Sequence, residues 1–250
     1  ISMQSGTQCR QALLDAGFAQ VDLYDIAEKD FPQRFVVGGY DVAFPALHGR
    51  YGEDGCIQGF LETLHIPYAF SGVLASAVAT EKEFAKAVYR SAGIRAPRGF
   101  DMRPGTVLTE EQVDAVIQNL GLPLFVKPCG NGSSFGISRV NGREELAAAI
   151  ELAGSAGQRV LVEECIEGTE ITVPVIGNDE PEALPVVEIA YDAEFYDLKV
   201  KYEPSALHHI IPARLSPEVY ALAQDMACRA HKALGCRGCS RSDFIVTAAG

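Results

Sequence analysis

The sequence predicts an α/β protein, and three observations predict it. Segments with apolar residues at helical spacing alternate with short apolar or alternating runs of strand character. Gly and Pro punctuate the boundaries between them. Residues 123–164 spell out a strand, a Gly/Ser-rich turn, a second strand, a helix and a third strand, with an antiparallel hairpin at the start. The 250 residues give one or two domains with ample material for a hydrophobic core. Hydrophobic residues make up 48% and charged residues 22% without a long biased tract, which excludes a disordered, collagenous or coiled-coil chain.

Taken in order, residues 3–16 read as an amphipathic helix closed by Gly17. An alternating segment at 19–24 and an apolar strand at 42–47 follow. Ile57, Phe60, Leu61 and Leu64 form the stripe of the next helix, and 66–70 is a short extended run that ends a first small domain, residues 1–70. Residues 81–92 form a helix stopped by Gly93. Thr109 with Gln112 three residues on is a capping box, opening a helix that ends before Gly121. Strands at 123–127 and 137–140, a helix started by Asn141 with Glu144 three residues on, and a strand at 160–164 complete a central unit, residues 71–170. Residues 171–250 hold strands at 183–190 and 209–213. They continue with a helix that has Ser216 as N-cap, Pro217 at its first position and Gly235 at its end, then a strand beginning at Asp243. No internal repeat is visible.

Lys and Arg number 21 against 33 Asp and Glu, a formal charge of −12, which disfavours non-specific binding to nucleic acid or to an anionic membrane. A small anionic ligand would need a locally basic site. The most apolar stretch, 73–79, falls well short of the roughly 18–20 residues that span a bilayer. Residues 1–6 have neither a basic n-region nor an apolar core, so no export signal is expected, and without Met at position 1 the chain reads as part of a longer product. Seven scattered cysteines, an odd number, fit reduced thiols in the cytoplasm.

Several positions carry candidate chemistry. The turn Lys127-Pro128-Cys129-Gly130-Asn131-Gly132-Ser133-Ser134-Phe135-Gly136 sets glycines and two hydroxyls between strands, where backbone N–H groups can face an anion such as phosphate. It is neither a Walker A loop nor a dinucleotide fingerprint, and by itself it is equally a flexible hairpin. Lys127 lies one residue inside an apolar strand and needs an anionic partner if it points inward. Residues 160–164 end in Glu163 and Glu164, with Glu170 beyond. One of these carboxylates accepts from a ribose or adenine if the strand lies beside the turn; otherwise the pair is a solvated strand end. Alternation puts Arg241 and Asp243 on one face, a pairing that suits a phosphate with its Mg²⁺ or a structural salt bridge. The locally basic residues 196–202 are a lid over anions or a surface strand. His48 sits in a Gly-flanked loop of the kind that carries ligand contacts in α/β folds, whereas His208 and His209 read as surface. Cys236 and Cys239 lack a second pair at zinc-ribbon spacing, so no metal or redox role is expected.

These segments also form an ordered set. Leu47-His48-Gly49 with Gly52-Glu53-Asp54-Gly55, Ile57-Gln58-Gly59, Ile66-Pro67-Tyr68 and Ser71-Gly72-Val73-Leu74-Ala75-Ser76 resemble the N-terminal half of D-alanine–D-alanine ligases, members of the ATP-grasp superfamily. The resemblance continues through Phe125-Val126-Lys127-Pro128 with Gly132-Ser133-Ser134-Phe135-Gly136-Ile137-Ser138, then Val160-Leu161-Val162-Glu163. It resumes at Phe195-Tyr196-Asp197 with Lys201-Tyr202, Ile211-Pro212-Ala213, and Gly235-Cys236-Arg237-Gly238 with Ser240-Arg241-Ser242-Asp243-Phe244. The match runs in order across nearly the whole chain.

The resemblance implies an ATP-grasp fold, with an N-terminal parallel α/β subdomain at 1–70 and two α+β subdomains, 71–170 and 171–250, clamping the nucleotide. It implies an enzyme that uses ATP to make an acyl phosphate of one D-alanine, which the amine of a second attacks to give D-Ala-D-Ala for peptidoglycan. Positioning and charge neutralisation should carry most of the rate of such a phosphoryl transfer. By family match, Lys82, Lys127 and Lys201 contact the nucleotide phosphates, Lys201 from the lid, and Ser133 with Tyr202 bridges that lid to the hairpin and orients substrate. Glu163 and Glu170 hold adenine and ribose, and the main chain from Glu164 to Ile166 reads the base edge. Arg241 stabilises the acyl phosphate and the tetrahedral intermediate, Asp243 ligates Mg²⁺, and His48 lies near the second D-alanine. Two Mg²⁺ ions are implied, with Mn²⁺ an alternative, as is a cytoplasmic homodimer without nucleic-acid or membrane partners.

The departures define what to test. The family's first strand, with its Gly-rich turn and a Glu for the first D-alanine, is expected before Ile1, and its Glu-x-Asn metal-ligand segment after Gly250. These 250 residues alone are therefore expected to be inactive, which detectable ligase activity would refute. Thr80 to Lys82 replaces the family's frequent Met-Asp-Lys, and Leu198 stands where a Tyr is usual. D-serine or D-lactate as acceptor is the alternative within the chemistry, Tyr202 favouring the dipeptide maker. A nucleotide-binding regulator without ligase chemistry is the alternative outside it.

Overall fold

The computed structural model describes residues 2–130, 136–155, 157–191 and 207–250. Ser133, Lys201 and Tyr202, with the expected lid, lie outside the described residues. The first layer holds α1 (Ser2–Asp15), α2 (Phe31–Gly38) and α3 (Cys56–Thr63). Phe31, Phe35, Ile57 and Leu61 are buried together, and Tyr24 meets Phe31 and Phe35 edge-on at 5.8 and 5.7 Å, the geometry that the ring quadrupoles favour. Two expected strands are corrected here. Residues 19–24 form no strand, because alternation chooses an inward face but supplies no partner; Tyr24 turns to the aromatic core and the Val21 carbonyl accepts from Arg10 Nε at 2.8 Å. Residues 42–47 narrow to one parallel bridge between Ala43 and Tyr68, the parallel element of this layer.

Next come α4 (Val73–Thr80), α5 (Lys82–Ser91), β1 (Gly99–Met102), α6 (Glu110–Leu120), β2 (Leu124–Pro128) and β3 (Ser138–Val140), followed by α7 (Leu146–Gly154) and β4 (Val160–Glu164). The capping box forms as read: Gln112 N–H donates to Thr109 Oγ1 at 3.3 Å and Thr109 N–H to Gln112 Oε1 at 2.9 Å. Asn141 does not cap the following helix. Its N–H donates to Glu145 Oε2 at 2.8 Å, and a 3₁₀ turn, Arg143–Glu145, delays the α-helix to Leu146. The four strands are antiparallel in the order β1-β4-β2-β3. One face, with Leu124, Val126, Val140, Val160 and Val162 almost wholly buried, packs on α6 and α7.

The third part has β5 (Thr169–Ile176), β6 (Glu182–Ala183), β7 (Val187–Tyr191), β8 (Leu207–Ile210), α8 (Pro217–Leu234) and β9 (Cys239–Val246). The strand expected at 183–190 is broken into β6 and β7. Both lie along one edge of β5, β6 against 175–176 and β7 against 171–172, so the chain must step across between them. The strand expected at 209–213 ends at Ile210, where its pairing with β7 ends. β9 begins four residues earlier than Asp243 because it pairs along all of β5. Helix α8 has the expected ends, Ser216 Oγ accepting from Val219 N–H at 3.4 Å and Gly235 in a left-handed conformation. Its Ala223 and Ala227 cover Ile171, Val173 and Val175. No helix among the described residues is long and apolar enough to cross a membrane.

His231 of α8 is almost wholly buried and shares a 2.7 Å hydrogen bond between Nδ1 and Ser240 Oγ. Burial lowers its pKa below the ordinary value. The unfolded chain therefore takes up the proton first, and the stability that neutral His231 contributes is present above about pH 6.5 and is lost as pH falls below it. Thermal melts at pH 7.5 and 5 should show His231→Gln losing less stability on acidification than the parent; an equal loss would contradict this.

Candidate active site

The strand period explains the first half of the site. On β2 and β4 the residues that alternate with the core valines face the opposite side of the sheet, among them Lys127, Leu161 and Glu163. Helix α5 supplies Lys82 and Lys86 to this side, four residues apart and hence on one helical face. Lys82 Nζ donates to the carbonyls of Pro128 and Cys129 at 3.2 and 3.0 Å, at the root of the hairpin. Burial, and then the neighbouring Lys127, lowers its pKa from the ordinary lysine value. Glu163 is 5% exposed, so the solvated strand-end reading fails for it. One of its oxygens pairs with Lys127 and the other with Lys86 Nζ at 3.4 Å. Lys86 also pairs with Glu83 at 2.8 Å. Three ammonium groups thus converge at the hairpin root in a chain of net charge −12, the local exception that an anionic ligand requires.

Glu164, the next residue, points the other way, to Arg98. It accepts from the Arg98 backbone N–H at 2.7 Å and from its guanidinium at 2.8 Å. Burial raises its pKa, but the Arg98 backbone and guanidinium outweigh this and leave it below the ordinary carboxylate value. The N–H groups of Glu164 and Cys165 already donate to Arg98 O and Pro123 O, at 3.0 and 3.3 Å.

The second half of the site lies on the β5–β9 pair. Ile171, Val173 and Val175 face α8, so Glu170, Thr172, Asp243 and Arg241 share the opposite face, Thr172 directly across from Asp243. The expected common face of Arg241 and Asp243 is therefore present. Arg241 Nε lies 3.1 Å from Asp243 Oδ1, which also accepts from Thr172 Oγ1 at 2.6 Å. Helix α5 packs on α8, the helix behind the β5–β9 pair, as well as on the hairpin root. Burial raises the pKa of its Tyr89, and nearby Cys236 and Asp243 add to that.

The turn before the strand that carries Arg241 is held from two sides. The Arg237 N–H donates to Ser71 Oγ at 3.2 Å, just past the first layer, and the Gly238 N–H donates within the third part to Asn178 Oδ1 at 2.9 Å. Gly238 has φ +70°, and a Cβ there would lie 3.3 Å from Phe70 Cα, so the turn admits glycine on both counts. His48 is exposed, its Nε2 at 3.1 Å from Ser5 Oγ. Glu170 and Ile166 are half-buried, and His208 and His209 are exposed as read. Among the described residues no group of three His, Cys, Asp or Glu gathers to hold a metal ion; Asp243 offers one hard oxygen donor. The sequence reading missed Lys86; its spacing from Lys82 was the available signal.

An antiparallel sheet with lysines and a buried carboxylate on its inner face, joined through α5 and α8 to a second sheet with an arginine and an aspartate, defines an ATP-grasp protein. Family models agree: residues 19–71 match the D-Ala-D-Ala ligase N-terminus and residues 88–250 the D-Ala-D-Ala ligase C-terminus. The chain belongs to the D-alanine–D-alanine ligase family. It is 41% identical over 255 residues to the D-alanine–D-alanine ligase of Desulforamulus reducens, covering 98% of this chain and 80% of that protein. With the D-alanine–D-alanine ligase of Syntrophobacter fumaroxidans the identity is 45% over 254 residues, covering 99% and 79%. Among solved structures, the VanG D-Ala:D-Ser ligase from Enterococcus faecalis superposes with a TM-score of 0.74 at 39% identity, covering 84% of this chain and 61% of that one. The D-alanine–D-alanine ligase from Coxiella burnetii gives 0.71 at 32%, covering 84% and 56%.

Proposed function

We propose that this chain carries the nucleotide-binding and catalytic strands of a ligase that joins two D-alanine molecules through a D-alanyl phosphate at the expense of ATP. The observation that carries the proposal is the convergence of Lys82, Lys86 and Lys127 on the hairpin root, in a chain that also sets Arg241 and Asp243 together on one strand face. Lys127 and Lys82 hold the phosphates, and Glu163 and Glu170 hold the adenosine. The N–H groups of Glu164 and Cys165 are spent on the backbone, so a base edge read at 164–166 uses carbonyl groups or the Ile166 N–H. Arg241 meets the negative charge that develops as the acyl phosphate forms and collapses. Asp243 suits Mg²⁺ as one ligand, since that ion usually takes one or two carboxylates and completes its shell with phosphate and water. When bound, the ion would neutralise charge between the phosphates. His48 is assigned to the second D-alanine, and Ser133, Lys201 and Tyr202 keep the lid roles that the sequence motifs imply.

The same reading divides the chain at 1–70, 71–170 and 171–250, supported by a separate buried core in each part. It extends to a cytoplasmic homodimer, the compartment being supported by seven free cysteines. D-alanine bearing ¹⁸O in its carboxylate tests the chemistry: ATP-dependent turnover by the full-length protein should pass one ¹⁸O to inorganic phosphate. Turnover with unlabelled phosphate would refute the acyl phosphate. The Enterococcus relative is a D-Ala:D-Ser ligase, so D-serine and D-lactate are run as competing acceptors. The family chemistry also sets the size of one substitution: Lys127→Ala should weaken ATP binding by about 1–3 kcal/mol, the worth of a charged hydrogen bond, and unchanged calorimetry would remove Lys127 from the site.

A further inference from the structure

We propose that Lys86 is a positioning residue, a standing counter-ion that keeps Glu163 compensated while Lys127 leaves that carboxylate for the nucleotide phosphate. The inference rests on the ATP-site reading above. Glu163 divides its oxygens, Oε1 to Lys127 and Oε2 to Lys86. The two lysines differ in their surroundings. The Lys86 side chain is 8% exposed and also held by Glu83 at 2.8 Å, whereas the Lys127 side chain is 21% exposed at the rim of the hairpin. Lys127 therefore has a route to an arriving anion and Lys86 does not. A phosphate that draws Lys127 away from a lone buried carboxylate must leave that charge uncompensated, which low-polarity surroundings penalise heavily. With Lys86 fixed on the second oxygen, the exchange leaves one ion pair behind and forms another. Lys82, one turn earlier on α5, is engaged with the Pro128 and Cys129 carbonyls and lies on the hairpin side of the same face.

The test is a double-mutant cycle read as the dissociation constant for ATP by calorimetry on the full-length protein. Lys86→Met should raise that constant about tenfold or more, and Lys86→Arg, which keeps the charge, should leave it near the parent value. In a Glu163→Gln background the same Lys86→Met change should shift it less than about twofold, because no charge remains to compensate. A role confined to packing would lower the melting temperature in both backgrounds without this asymmetry. Equal losses of affinity in the two backgrounds, or none in either, would overturn the proposal. Should Lys86→Met fail to fold, Lys86→Gln removes the charge, keeps a donor, and is held to the same outcomes. A parent protein that binds ATP and makes dipeptide while the cycle shows no coupling overturns this inference alone; a parent that binds no ATP overturns the ligase reading with it.

Discussion

Replacing Arg241 with Met should slow dipeptide formation by about 10²–10³-fold, the usual loss when a preorganised group that meets developing negative charge is removed. Arg241 and Asp243 are 65% and 66% exposed, and an exposed ion pair of this kind contributes about 0–1 kcal/mol to folding. The variant should therefore melt close to the parent and bind ATP nearly as well, while single-turnover formation of ADP and dipeptide collapses. Arg241→Lys should recover part of the rate, since an ammonium restores charge without the planar fork. Loss of stability in step with loss of rate would assign the residue to structure.

The largest effect on stability should come from Leu124→Ala. Leu124 is fully buried in the core beneath the β1-β4-β2-β3 sheet, packed among Val140, Val162 and the helices α6 and α7. Truncation removes apolar contacts and leaves a cavity that flanking strands cannot close, at a cost of about 2–5 kcal/mol. For a chain of this size that is roughly a 5–15 °C fall in melting temperature. Because Leu124 lies three residues before Lys127 on β2, ATP affinity should fall in the same variant at temperatures near its new melting point. A change below about 1 °C would show that this sheet is not the core the packing describes.

What was legible in the sequence was what local chemistry dictates. Thr109 with Gln112, Ser216 with Pro217, and Gly235 each mark a helix end through bonds made within a few residues, and each end was found where it was read. Alternation on β9 put Arg241 and Asp243 on one face, and their pairing followed. Non-local structure was harder. The run 73–80 is apolar on every side and carries no stripe, so its helix α4 was not read. Strand β5 carries Pro174, which ordinarily argues against a central strand. Here Pro174 falls in the gap between the stretches paired to β6 and β7, where a missing N–H is tolerated. The Glu163–Lys86 pair joins residues 77 apart in the chain, and no local pattern announces it. The acidic pair at the end of β4 shows the limit most clearly: two adjacent glutamates of one type take opposite fates, Glu163 buried between lysines and Glu164 half-buried against Arg98, because pleating sends them to opposite faces.

The most direct measurement is phosphate release by the full-length protein with ATP and D-alanine, with the organic product weighed by mass spectrometry. Release should depend on D-alanine, and the product should have the mass of D-Ala-D-Ala. Tight ATP binding with no release in the presence of D-alanine, D-serine or D-lactate would contradict the proposed chemistry and leave a nucleotide-binding protein on a ligase scaffold.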